Sequence, residues 1–355
     1  MNKPTSQSDF DFMAKLARAG HKYSWGVSEY DEKTPELTIY GDLNEDVKGD
    51  FDLMVHNGMI QSNVDIGERS IGFLSDDPES VSGINIDNKM IKAGNIFFHG
   101  SSNGKGIDGS GTVAVDCDID AEGAKIWGDG LLIDAAKVDI FNFEGKVKII
   151  ANEVNARCFD GASDVENEDN IPTIIAEKIS FQNSAQGQGK FIATKSITFN
   201  NHYGDGLQLF SLGEIAAFLP HISRSMKEMS FSFAKDISKM SLSDSEKMET
   251  ATSYRHMSMY TAFDVVEGLK NPKQLIMCGI NARDEDRLRD KGVSDEIVKQ
   301  HGIVRLSIKN QDFIREALEL IRKEFDVSNS EPYQDLMREI NVSLAKRSGL
   351  KNYLK

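Results

Sequence analysis

The sequence predicts a parallel β-solenoid followed by an α-helical domain. Short β-prone runs separated by Gly, Asn and Asp recur up to about residue 210 at nearly constant spacing. Beyond that point the apolar residues recur at the 3- and 4-residue steps of amphipathic helices. We therefore expect an N-terminal cap segment over 1–34, a β-helix-like solenoid over 35–210 with about 18 residues per coil, and an α-helical domain over 211–355.

The repeat is visible in two series of apolar residues. The first takes one residue from each β-prone run: Ile39, Val55, Phe73, Phe97, Val115, Ile133, Ile150, Ile175 and Ile192, at steps of 16, 18, 24, 18, 18, 17, 25 and 17. The second contains Ile119, Val138, Val154, Ile179 and Ile197. The two long steps of the first series contain the polar stretches 75–82 and 160–170, which we interpret as loops inserted into a regular coil.

These runs are too short for helices, because three or four β-branched residues at a time are interrupted by Gly and Asn. A chain that returns to the same place at a constant interval suits parallel rungs with apolar residues inside. A sandwich of antiparallel hairpins is the alternative, since spacing alone does not fix strand direction. In period and composition, residues 37–210 resemble β-helical adhesins, bacterial polymer-forming solenoids and polysaccharide-acting β-helix enzymes, without the specific motif of any one family.

After residue 212 four helical patterns follow. Eight residues predict a single apolar stripe along one helix: Ile215, Leu219, Ile222, Met226, Met229, Phe233, Ile237 and Met240. Ser243 or Asp244 is expected to cap a second helix that runs toward Leu269. Phe313, Ile314, Ala317, Leu318, Ile321 and Phe325 mark a third helix, and EPYQDLMREINVSLAKR a last one.

The methionine-rich part of this region is the candidate partner-binding surface, because methionine side chains adapt to varied partners. The residues are Met226, Met229, Phe233, Ile237 and Met240. The alternative is that they fill an irregular core between helices and solenoid. The N-terminal FDFMAKLARAG suits a helix that covers the open edge of the first rung, or one that binds a membrane surface or a partner.

No motif predicts a cofactor, a metal or a catalytic centre. Gly104, Gly106 and Gly109 match GxGxxG, but a strand-like SGTVAV follows where a dinucleotide site needs a helix, so we interpret these glycines as a tight corner. Asp116, Asp118 and Asp120 alternate as on one strand face, which without an EF-hand pattern is typical of a solvated surface. The seven histidines form no HxH or HxxxH pair.

The composition limits the kinds of partner that the protein is expected to bind and the cellular compartment in which it is expected to act. The net charge of -15 argues against nucleic acid, which requires excess Lys and Arg, and agrees with a soluble surface. Three widely spaced cysteines form no disulfide framework, and neither a signal peptide nor a run of apolar residues long enough for a membrane span is evident. We expect a cytoplasmic protein, or one exported without a cleaved signal peptide.

These observations favour a non-enzymatic scaffold, in which a rigid solenoid presents a lateral surface and the helical region mediates self-assembly or binding to a protein partner. Two alternatives stay open: a lyase or hydrolase that acts on polysaccharide through a pair of carboxylates, and an exported effector that binds a host protein.

Overall fold

The computed structural model confirms a parallel β-solenoid of about 8 turns with about 19 residues per turn, accompanied by three short helices, two of them at the C-terminus. Because the rungs pair in parallel, the antiparallel sandwich is excluded as the main architecture. The structure describes residues 6–28, 33–76, 82–99, 105–160, 171–200, 202–203, 207–217, 230–231, 258–263, 265–266 and 308–341.

The chain divides into two compact units, Met1–Ala176 and Glu177–Lys355. The first unit begins with helix α1 (Gln7–Ala19). Its strands are β1 (Lys22–Val27), β2 (Pro35–Tyr40), β3 (Val47–Lys48), β4 (Asp52–His56), β5 (Met59–Ile60), β6 (Val64–Asp65), β7 (Ser70–Leu74), β8 (Gly83–Ala93), β9 (Asn95–His99), β10 (Lys105–Val115) and β11 (Asp118–Asp160). Strand β12 (Thr173–Gln186) contains the division between the units.

The second unit combines further strands with two C-terminal helices. The strands are β13 (Gly189–Phe199), β14 (His202–Tyr203), β15 (Leu207–Ser211), β16 (Glu214–Ala217), β17 (Ser230–Phe231) and β18 (Ser258–Thr261). Helix α2 is Ile308–Glu324, and helix α3 covers 331–341. Both helices agree with the last two helical patterns of the sequence. None of the described helices is both long enough and apolar enough to cross a membrane.

Three ladders of buried aliphatic residues run through the first unit, each formed by parallel pairing of one turn with the next. Ladder A contains Leu37, Leu53, Ile71, Ile96 and Ile119. Ladder B contains Leu43, Ile60, Ile84, Ile107 and Ile126. Ladder C contains Val47, Val64, Ile91, Val113 and Ile133. Every member is at most 3% exposed, so one turn contributes at least three inward positions to a continuous core.

Stacked phenylalanines reinforce this core at the spacing of the rungs. Ring centroids lie 4.8 Å apart for Phe73 and Phe98, 4.7 Å for Phe143 and Phe159, and 5.0 Å for Phe181 and Phe199. Neighbouring parallel strands are about 4.8 Å apart, so identical side chains at equivalent positions stack without any change of backbone.

The second apolar series of the sequence is confirmed as core, but the first is wrong at Phe97 and Ile150, and its Ile192 is buried on the outer face of β13. Phe73 pairs with Phe98 instead of Phe97, which lies beside Gly72 and faces outward. Ile150 is half-buried, whereas Ile149 is fully buried. Both errors occur at doublets, FF and II, where a shift by one residue exchanges the inner and outer faces of a strand.

The predicted corner at the GxGxxG match is confirmed at Gly109, whereas Gly106 lies beside the ladder B residue Ile107 and Gly104 lies outside the described residues. Strand β10 passes from ladder B to ladder C between Gly109 and Gly111, where its register shifts against both neighbouring strands. These glycines have φ values of 113° and 125°. A Cβ on Gly109 would lie 1.9 Å from the carbonyl oxygen of Ile86, so the close packing of turns requires glycine here.

Aspartates at other corners bind the backbone of the following turn. Backbone N–H groups of Met59, Asn63 and Ser70 donate to the carboxylates of residues 42, 46 and 52 at 2.9, 3.0 and 3.0 Å. A corner interrupts the backbone ladder and leaves donors that need another acceptor. Part of the acidity that composition alone assigned to solubility therefore has a structural role.

Helix α1 and strand β1 lie at the N-terminal end of the first unit. A capping box between Ser6 and Asp9 starts the helix, and Gly20 in the left-handed conformation ends it. Phe12 stacks on Phe51 with ring centroids 6.3 Å apart. Strand β1 pairs with β2 in the antiparallel direction. The predicted N-terminal helix is confirmed, and β1 is the element that pairs with the edge of the first rung.

The helical stripe predicted to start at Ile215 is wrong where the structure describes it. Ile215 lies in β16, pairs with Ile197 in parallel, and thereby continues the second apolar series at its own 18-residue step. Phe231, inside the same predicted stripe, lies in β17 and pairs with Ile215. The second predicted helix is also wrong at 258–261, which form β18 against β15. Parallel pairing therefore continues past residue 210 and overrides the local helical period.

Helix α2 packs against β13 and β15 within the second unit. The Nζ of Lys190 lies 3.1 and 3.0 Å from the two carboxylate oxygens of Glu316. Lys190 shares a strand face with Ile192, and both Ile192 and the inward Phe191 are fully buried. The buried side of α2 consists of Phe313, Ile314, Ala317, Leu318 and Ile321, as the sequence predicts. This helix therefore covers the outer face of two rungs.

Candidate interaction surface

The residues singled out by sequence as a partner-binding surface lie outside the described residues: Met226, Met229, Phe233, Ile237 and Met240. The alternating aspartates 116, 118 and 120 are exposed. Among the described residues, no group of three or more His, Cys, Asp or Glu side chains is arranged to hold a metal ion.

The outward residues of four adjacent rungs form a lateral face of the first unit, here called the β2–β9 face. They alternate with ladder A, so the pairing of β2, β4, β7 and β9 fixes their rows. The three rows are Glu36, Asp52, Ser70 and Asn95; Thr38, Met54, Gly72 and Phe97; and Tyr40, His56 and Leu74.

An apolar strip occupies the middle row. A Cβ built on Gly72 would lie 2.6 Å from Cε of Met54 and 2.6 Å from Cε2 of Phe97. The side chains of Met54 and Phe97 therefore fill the space above Gly72 from the turns on either side. Because the middle rung has no side chain, its neighbours form one continuous, flat apolar surface across three turns.

The third row is the most exposed part of the face. Tyr40 and Leu74 are 39% and 38% exposed, although both are large side chains. The rings of Tyr40 and His56 lie 5.5 Å apart, and Nζ of Lys22 lies 5.2 Å from the Tyr40 ring centroid. The phenol ring is thus held in place by an imidazole and an ammonium group while much of its surface stays open to solvent.

Asp76 fixes the orientation of this row at the adjoining corner. Its Oδ1 lies 3.2 Å from Nε2 of His56, and its Oδ2 accepts a hydrogen bond from Nδ2 of Asn57 at 3.2 Å. The backbone N–H of Asp76 in turn donates to Oδ1 of Asn57 at 3.0 Å. Asn57 adopts a φ of 53°, which asparagine tolerates better than most residues.

The first row is polar and connects successive turns. The backbone N–H of Ser70 donates to Asp52, and that of Asp118 donates to Oδ1 of Asn95 at 3.3 Å. The face thus consists of an apolar strip between a polar row and an aromatic row, all on rigid backbone. Such an arrangement can bind an extended or flat apolar surface and satisfy polar groups at its rim.

A charged cluster lies further along the first unit, in β11. The ammonium group of Lys137 donates to Asp139 at 2.6 Å, and this hydrogen bond is the main reason that the pKa of Lys137 lies above its usual value. The side-chain amide of Asn155 donates to Asp139 at 2.8 Å and to Glu153 at 2.9 Å. These side chains bind one another, so the cluster stabilises the coil.

The fold defines the class of protein as a parallel β-solenoid. No protein-family model matches the chain. No curated protein matches it, and no solved structure does.

The sequence does contain a signal for the β2–β9 face. Tyr40, Met54 and Leu74 are large apolar residues directly next to inward positions of the rungs, where a solvated strand carries polar residues. Reading the outward positions of each rung, in addition to the inward ones, would identify them.

Proposed function

We propose that this protein is a non-enzymatic scaffold that binds a partner protein through the β2–β9 face. The observation that carries the proposal is the exposure of Tyr40 and Leu74 beside the continuous apolar strip of Met54 and Phe97. Large apolar side chains grouped on one rigid surface are a typical feature of protein-binding sites.

The rigidity of the face supports binding more than catalysis. The outward side chains of β4 and β7 stand on strands whose backbone pairs with a neighbouring strand on both sides. A surface that is ordered before binding loses little conformational entropy when a partner docks. The two outer rows of the face supply hydrogen-bonding groups, for example Glu36 in the first row and His56 in the third. Hydrogen bonds to these groups would fix the orientation of the partner.

The helical region is proposed to contribute assembly contacts. The methionine-rich segment Met226–Met240 remains the candidate for this role. Its contribution is independent of the β2–β9 face, so the two surfaces can be tested separately.

Affinity capture with three baits tests the proposal: the wild-type chain, the double variant Tyr40→Ser/Leu74→Ser, and the control Met90→Ser. Met90 is 55% exposed but lies on β8, next to ladder C and off the β2–β9 face. A protein partner is expected to bind wild type and Met90→Ser alike and to be lost from the double variant. All three baits should melt at similar temperatures, because the changed side chains are exposed.

Equal capture by all three baits would contradict the role of this face. Release of reducing ends from a glycan by the purified chain would favour the polysaccharide-acting alternative instead.

A further inference from the structure

Helix α1 has a second apolar side that nothing in the described structure covers. Asp9, Phe12 and Leu16 are buried. Phe10, Ala14 and Ala17 are exposed, and Phe10 is 47% exposed. Spacings of four and three residues place these three on one stripe of the helix. The stripe therefore joins one large aromatic side chain to two small residues over two turns.

Charges of opposite sign flank this stripe on the same side. Asp11 lies near the beginning of the helix and Arg18 near its end, seven residues and about two turns later. Asp11 accepts a hydrogen bond from Gln7, and Nε of Arg18 donates to the carbonyl oxygen of Ala14. A carboxylate and a guanidinium group each have capacity for more than one such bond.

We propose that α1 pairs with α1 of a second copy of this chain in the antiparallel direction. With Ala14 at the crossing point, Phe10 of each copy packs over Ala17 of the other. The same register places Asp11 opposite Arg18 of the second copy, twice by symmetry. The same residues of both copies therefore form the interface, as a two-fold symmetric (isologous) dimer requires.

The order of charges selects this occupant. In an antiparallel pair the same flank of each helix meets, so Asp11 of one copy lies opposite Arg18 of the other, whereas in a parallel pair these flanks lie on opposite sides of the interface and the charges do not meet. Ala14 at the crossing lets the helix axes approach closely. A helix of 13 residues is about 20 Å long, so the interface is small and belongs to the weak, reversible class.

This inference extends the proposed scaffold function by naming a partner, and it concerns a surface separate from the β2–β9 face. Loss of self-pairing and loss of partner capture are therefore distinguishable, because the variants for each lie on different elements.

Sedimentation velocity of the full chain from about 10 to about 500 µM tests the pairing, since weak interfaces associate in this range. The wild type should show a reversible monomer–dimer equilibrium. Ala14→Glu should abolish it, whereas the control Ala19→Glu, on the far side of α1, should leave it unchanged. Asp11→Arg and Arg18→Asp should each weaken the dimer at least about threefold, and the double charge exchange should restore it.

Three results would overturn the proposal: a monomer over the whole concentration range, a dimer unaffected by Ala14→Glu, or single charge variants that the double exchange does not rescue. Binding of α1 to vesicles of phosphatidylserine without dimer formation would assign the stripe to a membrane instead. A thermal melt of each variant checks that it is folded. If Ala14→Glu unfolds the first unit, the charge-exchange variants still test the pairing.

Discussion

The carboxylate of Asp46 accepts the backbone N–H of Asn63, at 3.0 Å, and joins the corner of one turn to the corner of the next. The same oxygen accepts the side-chain amide of Asn63 at 3.1 Å. One aspartate thus replaces the ladder hydrogen bonds that are lost where the chain turns. The recurrence of this contact at Asp42 and Asp52 makes it a general device of the first unit.

Removal of the Asp46 carboxylate should destabilise the first unit modestly. Asp46→Ala leaves the Asn63 N–H without its acceptor and is expected to cost about 1 kcal/mol, because the corner is exposed and water replaces part of the bond. Asp46→Asn retains an acceptor oxygen and should cost less. Chemical denaturation of the two variants measures the difference, and equal stability of Asp46→Ala and wild type would contradict the role of the contact.

Acid should weaken the same corners. The backbone hydrogen bond from Asn63 lowers the pKa of Asp46, and the hydrogen bond from Arg69 lowers that of Asp50. A pKa lower in the folded than in the unfolded state adds stability above the unfolded value, near 4, and this stability is lost as pH falls through the folded value. The melting temperature should therefore fall below about pH 4, and Asp46→Asn should show a smaller fall. An identical acid profile in the variant would contradict the assignment.

Gly109 should be far less replaceable than Gly130. Both have positive φ, 113° and 100°, so alanine is strained at either position. A Cβ at Gly109 would also collide with Ile86, whereas nothing lies within 4 Å of one at Gly130. Gly130→Ala should cost about 1–2 kcal/mol and Gly109→Ala clearly more. Similar losses in thermal stability would mean that the corner is not closely packed.

The two isoleucines of the II doublet should differ sharply. Ile149→Asp places a carboxylate in the closed core and should unfold the first unit or cost several kcal/mol, whereas the half-buried Ile150 should tolerate aspartate with a small loss. Circular dichroism with a thermal melt measures both. Greater sensitivity at Ile150 would restore the series that the sequence first predicted.

The sequence was sufficient to predict the architecture, because β-branched residues recur along it at a steady interval. It was insufficient at Phe97 and Ile150, where adjacent apolar residues fit either face. It misled at Ile215, since a 3–4 spacing suits a helix while the 18-residue step from Ile197 suits a rung, and the pairing of neighbouring turns decided the outcome.

The sequence marks Tyr40, Met54 and Leu74 as unusual outward residues, but it does not give the arrangement of the β2–β9 face, because the rows of this face join residues from different turns. Whether Met54 meets Phe97 depends on the one-residue register that the FF doublet leaves open and on the absence of a side chain at Gly72. Which rungs a helix covers in the second unit was equally hidden, because α2 packs on β13 and β15 from about a hundred residues further along the chain.

The central claim is most directly tested by calorimetric titration of the captured partner, after purification, against wild type, Tyr40→Ser/Leu74→Ser and Met90→Ser. Loss of two large contact side chains should weaken binding at least about tenfold, equivalent to about 1.4 kcal/mol, while Met90→Ser should bind as wild type does. Equal dissociation constants for the three proteins would contradict the account.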